Sequence, residues 1–231
     1  MAKLEETPYT KHSTLAFFRC FGHMGLEKLL SRVQSLIIKN GNELERMILE
    51  RLAPVENLDG FLEIEIMPDG VLVAPKKLIK KSKIIHHGGN EPDFMIFKRS
   101  KGKQHCYMVE LKESPNYDTK SSAMEHQSIH QFVSRNAPSL PYTVSTHICA
   151  FNAPDRPTIV KGFKNKITIE EALTGKDFCE LFGLDFDEII RTREVDRKAN
   201  LEYFLKELIT NEDFVEKLKT KIKALPEKIS N

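Results

Sequence analysis

Several things are scarce in this sequence, and each shortage removes a class of protein. The four cysteines, Cys20, Cys106, Cys149 and Cys179, lie far apart and form no C-x-x-C pair. That spacing excludes a zinc ribbon or a small disulfide framework and fits a reducing cytoplasm. Nowhere do about 18 apolar residues run together, and the opening Met-Ala-Lys-Leu-Glu-Glu has no apolar stretch of signal-peptide type, so neither membrane insertion nor export is expected. No segment repeats and no low-complexity tract breaks the chain. The net charge is only +2, so a polyanionic partner would have to be drawn by local clusters of Lys and Arg.

What is present describes a globular chain. At 231 residues, with 40% hydrophobic and 29% charged residues, it has enough apolar material for a sizeable core. One domain over 1–231 is expected, with a helical stretch at 1–55, a core at 56–160 and a second helical stretch at 161–231.

Leu26, Leu29, Leu30, Val33, Leu36 and Ile37 recur at steps of three and four, the stripe of an amphipathic helix that Asn40-Gly41 should stop. Asn42 and Glu45 are spaced as a capping box for a second helix carrying Leu44, Met47, Ile48 and Leu52. Then the period changes. Leu62, Ile64 and Ile66 alternate with glutamates before Pro68-Asp69-Gly70, which predicts a hairpin with Val71–Ala74. A second hairpin is expected from Asp93–Lys98 and His105–Lys112 around Ser100-Lys101-Gly102-Lys103. Lys120–Arg135 reads as a helix and Thr143–Phe151 as a β-branched strand. Helices follow: one capped by Thr168 and Glu171, Asp177–Phe182 ended by Gly183, Asp185–Ile190, and a last apolar stripe over Leu201–Leu225. This order predicts an α/β fold with a mixed central sheet flanked by helices.

The chemistry concentrates at Pro92-Asp93 and Glu110-Leu111-Lys112. Side chains alternate along a strand, so Glu110 and Lys112 share a face while Val109 and Leu111 anchor the other. Pairing across a turn near residue 101 or 102 sends Asp93 to about residue 110. Two acids and a lysine in one patch suit phosphodiester hydrolysis. The carboxylates hold Mg2+, and Lys112 orients the attacking water, helps it deprotonate or stabilises the developing charge. A third acid from the early helix, Glu45 or alternatively Glu50, would complete the metal site.

Pro92-Asp93, sixteen intervening residues and Glu110-Leu111-Lys112 resemble the signature of the PD-(D/E)XK nucleases, and among them the type II restriction endonucleases. Tyr117-Asp118-Thr119-Lys120, Thr174–Leu181 and Asn40–Glu45 are similar to runs in such enzymes. The resemblance implies a restriction-endonuclease-like core, a homodimer cutting double-stranded DNA at a short two-fold site, 5′-phosphate and 3′-hydroxyl ends, and a cognate DNA methyltransferase as functional partner. A repair or recombination nuclease of the same superfamily, or a DNA-binding protein with an inert acidic patch, are the rival readings. The helices after residue 158 favour restriction, because a minimal nuclease core would not need them.

Lys76, Lys77, Lys80, Lys81 and Lys83, with Lys120, suit contact with successive phosphates; a solvated loop face explains such a cluster equally well on its own, and proximity to Asp93 tips it toward DNA. Arg135-Asn136, and Asn152 with Arg156 beyond the Thr143–Phe151 strand, are of types that read base edges. His86-His87-Gly88-Gly89-Asn90 is either a ligand-approaching loop or a plain connector. His126 and His130 have the i, i+4 spacing of zinc ligands, but no third ligand is in view and Glu125 does not make H-E-x-x-H, so they read as surface or DNA-facing histidines. Gln127 and Gln131 share their helix, and Phe17, Phe18 and Phe21 are expected to pack or dimerise.

Overall fold

In this computed structural model the described residues are 3–9, 15–64, 66–88, 91–115 and 119–224. The amino-terminal half forms α1 (Ala16–Phe21), α2 (Met24–Leu49), β1 (Ala53–Pro54), α3 (Leu58–Leu62), β2 (Gly70–Pro75), α4 (Lys76–Ile79), β3 (Phe94–Ser100) and β4 (Lys103–Lys112). After it come α5 (Thr119–Asn136), β5 (Thr143–Ala150), α6 (Arg156–Gly162), β6 (Ala172–Thr174), α7 (Gly175–Phe182), α8 (Phe186–Ile209) and α9 (Glu212–Lys223).

The six strands make one sheet in chain order. β1 and β2 are parallel, β2, β3 and β4 antiparallel, and β4, β5 and β6 parallel again, so the fold is α/β with a mixed sheet. Lys101 and Gly102 close the β3–β4 hairpin with positive φ of 51° and 76°, the primed two-residue turn whose twist matches its strands. Both faces are covered, which is why Phe94–Phe97 are all buried instead of alternating. On one face Met95, Phe97, Cys106, Met108 and Ile148 share a core with Ile129 and Phe132 of α5, Ile159 of α6 and Phe163 just beyond it. On the other, Tyr107 meets the edge of Phe182 from α7, ring centroids 5.2 Å apart.

The chain packs as two compact units. Glu45–Asp187 contains the whole sheet; Met1–Leu44 with Glu188–Asn231 is helical. In the helical unit Leu4, Leu29 and Leu36 are buried with Val33, Tyr203, Phe204 and Leu208 against them. Arg32 ties this unit together, donating to the Thr7 and Leu4 carbonyls and to the Tyr203 hydroxyl. No helix among the described residues is long and apolar enough to cross a membrane.

Four expectations are corrected. The helix does not stop at Asn40-Gly41: α2 continues to Leu49, because a glycine costs a helix only about 1 kcal/mol and Leu36, Leu44, Met47 and Ile48 are buried on either side of it. Leu62, Ile64 and Ile66 are not a strand. The Asn57 side chain caps α3 by accepting from the Gly60 N–H, Ile64 and Ile66 are exposed, and β2 pairs with β1 and β3 instead. Thr168 and Glu171 do exchange backbone-to-side-chain bonds of capping-box type, but these close the turn before β6; the capping box that starts a helix is Thr174 with Asp177, at α7. Finally, Asp185–Ile190 and the start of the last stripe belong to a single helix, α8.

Candidate active site

The register of three strands builds the site. Phe94 faces Val109 in the β3–β4 pair, so one step further Asp93 stands opposite Glu110, as the strand arithmetic predicted. Pro75 faces Phe94 in the β2–β3 pair, so one step further Lys76 stands opposite Asp93, where the Lys76 backbone N–H donates to the Asp93 carbonyl at 2.9 Å. Lys76, Asp93 and Glu110 therefore form a row across the sheet, with Lys112 two residues beyond Glu110 on the same face.

The side chains meet along that row. Lys76 Nζ lies 3.1 Å from Asp93 Oδ1, and the buried Leu111 N–H donates to Asp93 Oδ2 at 2.9 Å. Lys112 Nζ lies 2.9 Å from Glu110 Oε1. The carboxylates are largely closed to solvent, with side-chain exposures of 10% for Asp93 and 15% for Glu110. Val109 and Leu111, on the opposite face, are buried and hold the strand.

Glu45, near the end of α2, joins this group. Its carboxyl is pushed up to about 7 by burial, then by the charges of Asp93 and Glu110, with Lys76 and Lys112 pulling the other way. Burial and Asp93 also raise Glu110, against the pull of Lys112. Burial lowers Lys76, but Asp93 and Glu110 outweigh it, so its pKa is raised and it stays charged. Glu50, the alternative third acid, is exposed and paired with Arg46.

The Glu45 shift has a measurable sign. A carboxyl whose folded pKa stands above its unfolded value keeps a proton that the unfolded chain gives up, so native stability is expected to fall as pH rises from about 4.5 to about 7. Denaturant unfolding in EDTA at several pH values should show that slope, and Glu45→Gln should flatten it. A slope untouched by Glu45→Gln would refute the assignment.

The remaining predicted residues are scattered. The lysine cluster divides: Lys76 joins the acidic row through Asp93. Lys80 approaches Glu91 at 4.0 Å, while Lys77 and Lys81 are exposed beside a groove lined by Pro54, Val55, Pro75 and Leu78. His87 is held by Glu91 and the Ser82 carbonyl. Asn136 is no base reader, being fully buried: it accepts from the His86 N–H at 2.7 Å and donates to the Phe132 carbonyl. The Asn152 amide donates to the Glu113 backbone and carboxylate, and Arg156 Nε lies 3.0 Å from Asp177 Oδ2 in a cleft of about 740 Å³ that Lys176 also lines. Phe18 and Phe21 are exposed, and α1 buries nothing. Tyr117 and Asp118, and the side chains of Thr119 and Lys120, lie outside the described residues.

No family model and no solved structure matches this chain. A known protein does: over 225 residues, 95% of this chain and 99% of the relative, it is 34% identical to the type II restriction enzyme HhaII of Haemophilus parahaemolyticus. A likeness of that depth, sustained along nearly the whole of both proteins, makes this chain a member of the type II restriction enzyme family.

Proposed function

We propose that this restriction enzyme is a Mg2+-dependent PD-(D/E)XK endonuclease, a single functional domain that hydrolyses both strands of DNA at a short specific site and leaves 5′-phosphate and 3′-hydroxyl ends. One observation carries the reading: Asp93 opposite Glu110, with Lys112 beside Glu110, in a site mostly closed to water. The residues present fit the metal. Asp93, Glu110 and Glu45 offer only oxygen donors, as Mg2+ prefers, and burial first, then the nearby charges of Asp93 and Glu110, raise the Glu45 carboxyl. Bound there, Mg2+ would supply Lewis-acid stabilisation of phosphate charge and an activated water.

The chain's own groups do the rest. Lys112 Nζ, steadied by Glu110, is placed to orient the attacking water and to meet charge building on the phosphate. Lys76 holds Asp93 in place through its ammonium. Lys77, Lys80, Lys81 and Lys120 would track the phosphate backbone; Arg156 would contribute through the guanidinium donors left after its Nε–Asp177 bond, and Asn152, whose amide N–H groups both go to Glu113, through its side-chain oxygen as an acceptor from a base edge. A cognate methyltransferase would protect the host's own sites.

A two-fold target calls for two copies. Within the helical unit, α8 uses Tyr203, Phe204 and Leu208 inward, yet Leu201, Leu205 and Ile209 form a second stripe, at exposures of 56%, 44% and 70%. A second copy of this chain is the occupant that the two-fold reading requires. Leu205→Asp with Ile209→Asp is expected to sediment as a monomer and to cut less efficiently; an unchanged dimer would reject this face.

Incubating the protein with phage DNA and Mg2+ tests the whole reading. Discrete fragments are the expected result. A smear or junction-only cutting would support a repair nuclease instead, and intact DNA a binding protein.

A further inference from the structure

We propose that His126, His130 and Glu171 form a zinc site, separate from the catalytic carboxylates. The sequence left the two histidines without a third ligand, and the fold supplies it. His126 and His130 lie one turn apart on α5, ring centroids 4.3 Å from each other, so both imidazoles face the same way. Glu171 arrives from the turn before β6 and is fixed at three points. Its backbone carbonyl accepts from the Ile148 N–H at 2.8 Å, its own N–H donates to Thr168 Oγ1, and its Oε2 accepts from the Thr168 N–H at 2.7 Å. That leaves Oε1 directed at the histidines. One donor atom from each of the three residues lies within 4.8 Å of the other two.

The His130–Glu171 contact is not an ordinary ion pair. Oε1 stands 2.6 Å from His130 Nε2, yet that nitrogen is buried and makes no well-directed hydrogen bond among the described residues. The pair lies on one small patch with His126, within reach of one shared centre.

The donor set selects the metal. Two imidazole nitrogens and one carboxylate oxygen suit Zn2+, leaving a fourth position for water, whereas Mg2+ prefers all-oxygen sites such as the one at Asp93 and Glu110. The Thr168 N–H on Oε2 is the supporting contact that orients such a carboxylate. Bound there, Zn2+ clamps α5, the helix that follows Lys112, to the approach of β6.

Titration calorimetry with Zn2+ alone, beside melting curves with and without Zn2+, tests the site. The wild type is expected to take up Zn2+ and melt at a higher temperature with it. Asp93→Asn should keep both effects, which separates this site from the catalytic one. His126→Gln with His130→Gln should weaken Zn2+ at least about tenfold and lose the melting shift. Should that pair fail to fold, Glu171→Gln, which keeps the Thr168 bond, is expected to weaken Zn2+ in the same way. Absence of Zn2+ uptake by the wild type, unchanged affinity in the folded variants, or loss of uptake in Asp93→Asn would each overturn the proposal.

Discussion

Lys112→Ala and Glu110→Ala are each expected to cut DNA cleavage by about a thousandfold or more while DNA binding in Ca2+ persists. The strand should survive both changes, because Val109 and Leu111, buried on its other face, do the anchoring. The two losses differ in origin. Glu110→Ala removes a carboxylate from the site. Lys112→Ala removes the cation next to Glu110, whose pKa burial and Asp93 already raise, so Glu110 becomes harder to ionise as well. Single-turnover cleavage in Mg2+ and a mobility shift in Ca2+ separate chemistry from binding. Turnover at the wild-type rate by either variant would remove these residues from the mechanism.

Asp93 gives the second large effect, visible in stability as well as activity. Both Asp93→Asn and Asp93→Ala should stop cleavage. Both also take the counter-charge from Lys76 and relieve Glu45 and Glu110 of a like charge, so those terms cancel between the variants. What remains is the hydrogen bond from Leu111. Asparagine can still accept from that buried N–H, and alanine cannot. The alanine variant is therefore expected to unfold about 1–3 kcal/mol more easily than the asparagine variant in urea. Equal stabilities would mean that the Asp93–Leu111 bond does not hold the strand end.

How far the sequence could be read follows the range of the interactions. The pairing of Asp93 with Glu110 was legible because Lys101-Gly102 names its own turn and the alternation carries the register outward. Lys76 was not. Its place in the row depends on β2 pairing with β3, and the alternation of Leu62, Ile64 and Ile66 pointed β2 toward a different partner. In the structure α3 ends at Leu62, and Ile64 and Ile66 beyond it are exposed, a pattern no period-two rule anticipates. Asn40-Gly41 misled in the opposite direction: local propensity argues for a break, and burial of apolar residues on both sides overrides it. Asn136 looked like a base reader from its residue type alone, and only its position against His86 makes it structural. Glu171 was invisible beside His126 and His130, since a ligand on another element leaves no spacing to recognise. Glu45 was reachable only through the placement of the early helix together with the resemblance, and neither separated it from Glu50.

The two-residue turn at Lys101-Gly102 also has a consequence for time. A hairpin closed this tightly can form within microseconds, ahead of the parallel β4–β5 and β5–β6 pairings that must wait for α5 and α6 to cross over. Asp93 and Glu110 would then be neighbours before the sheet around them exists. Within that hairpin Glu110 already has Lys112 beside it, whereas Asp93 would face Glu110 without its own counter-charge until β2 pairs and brings Lys76.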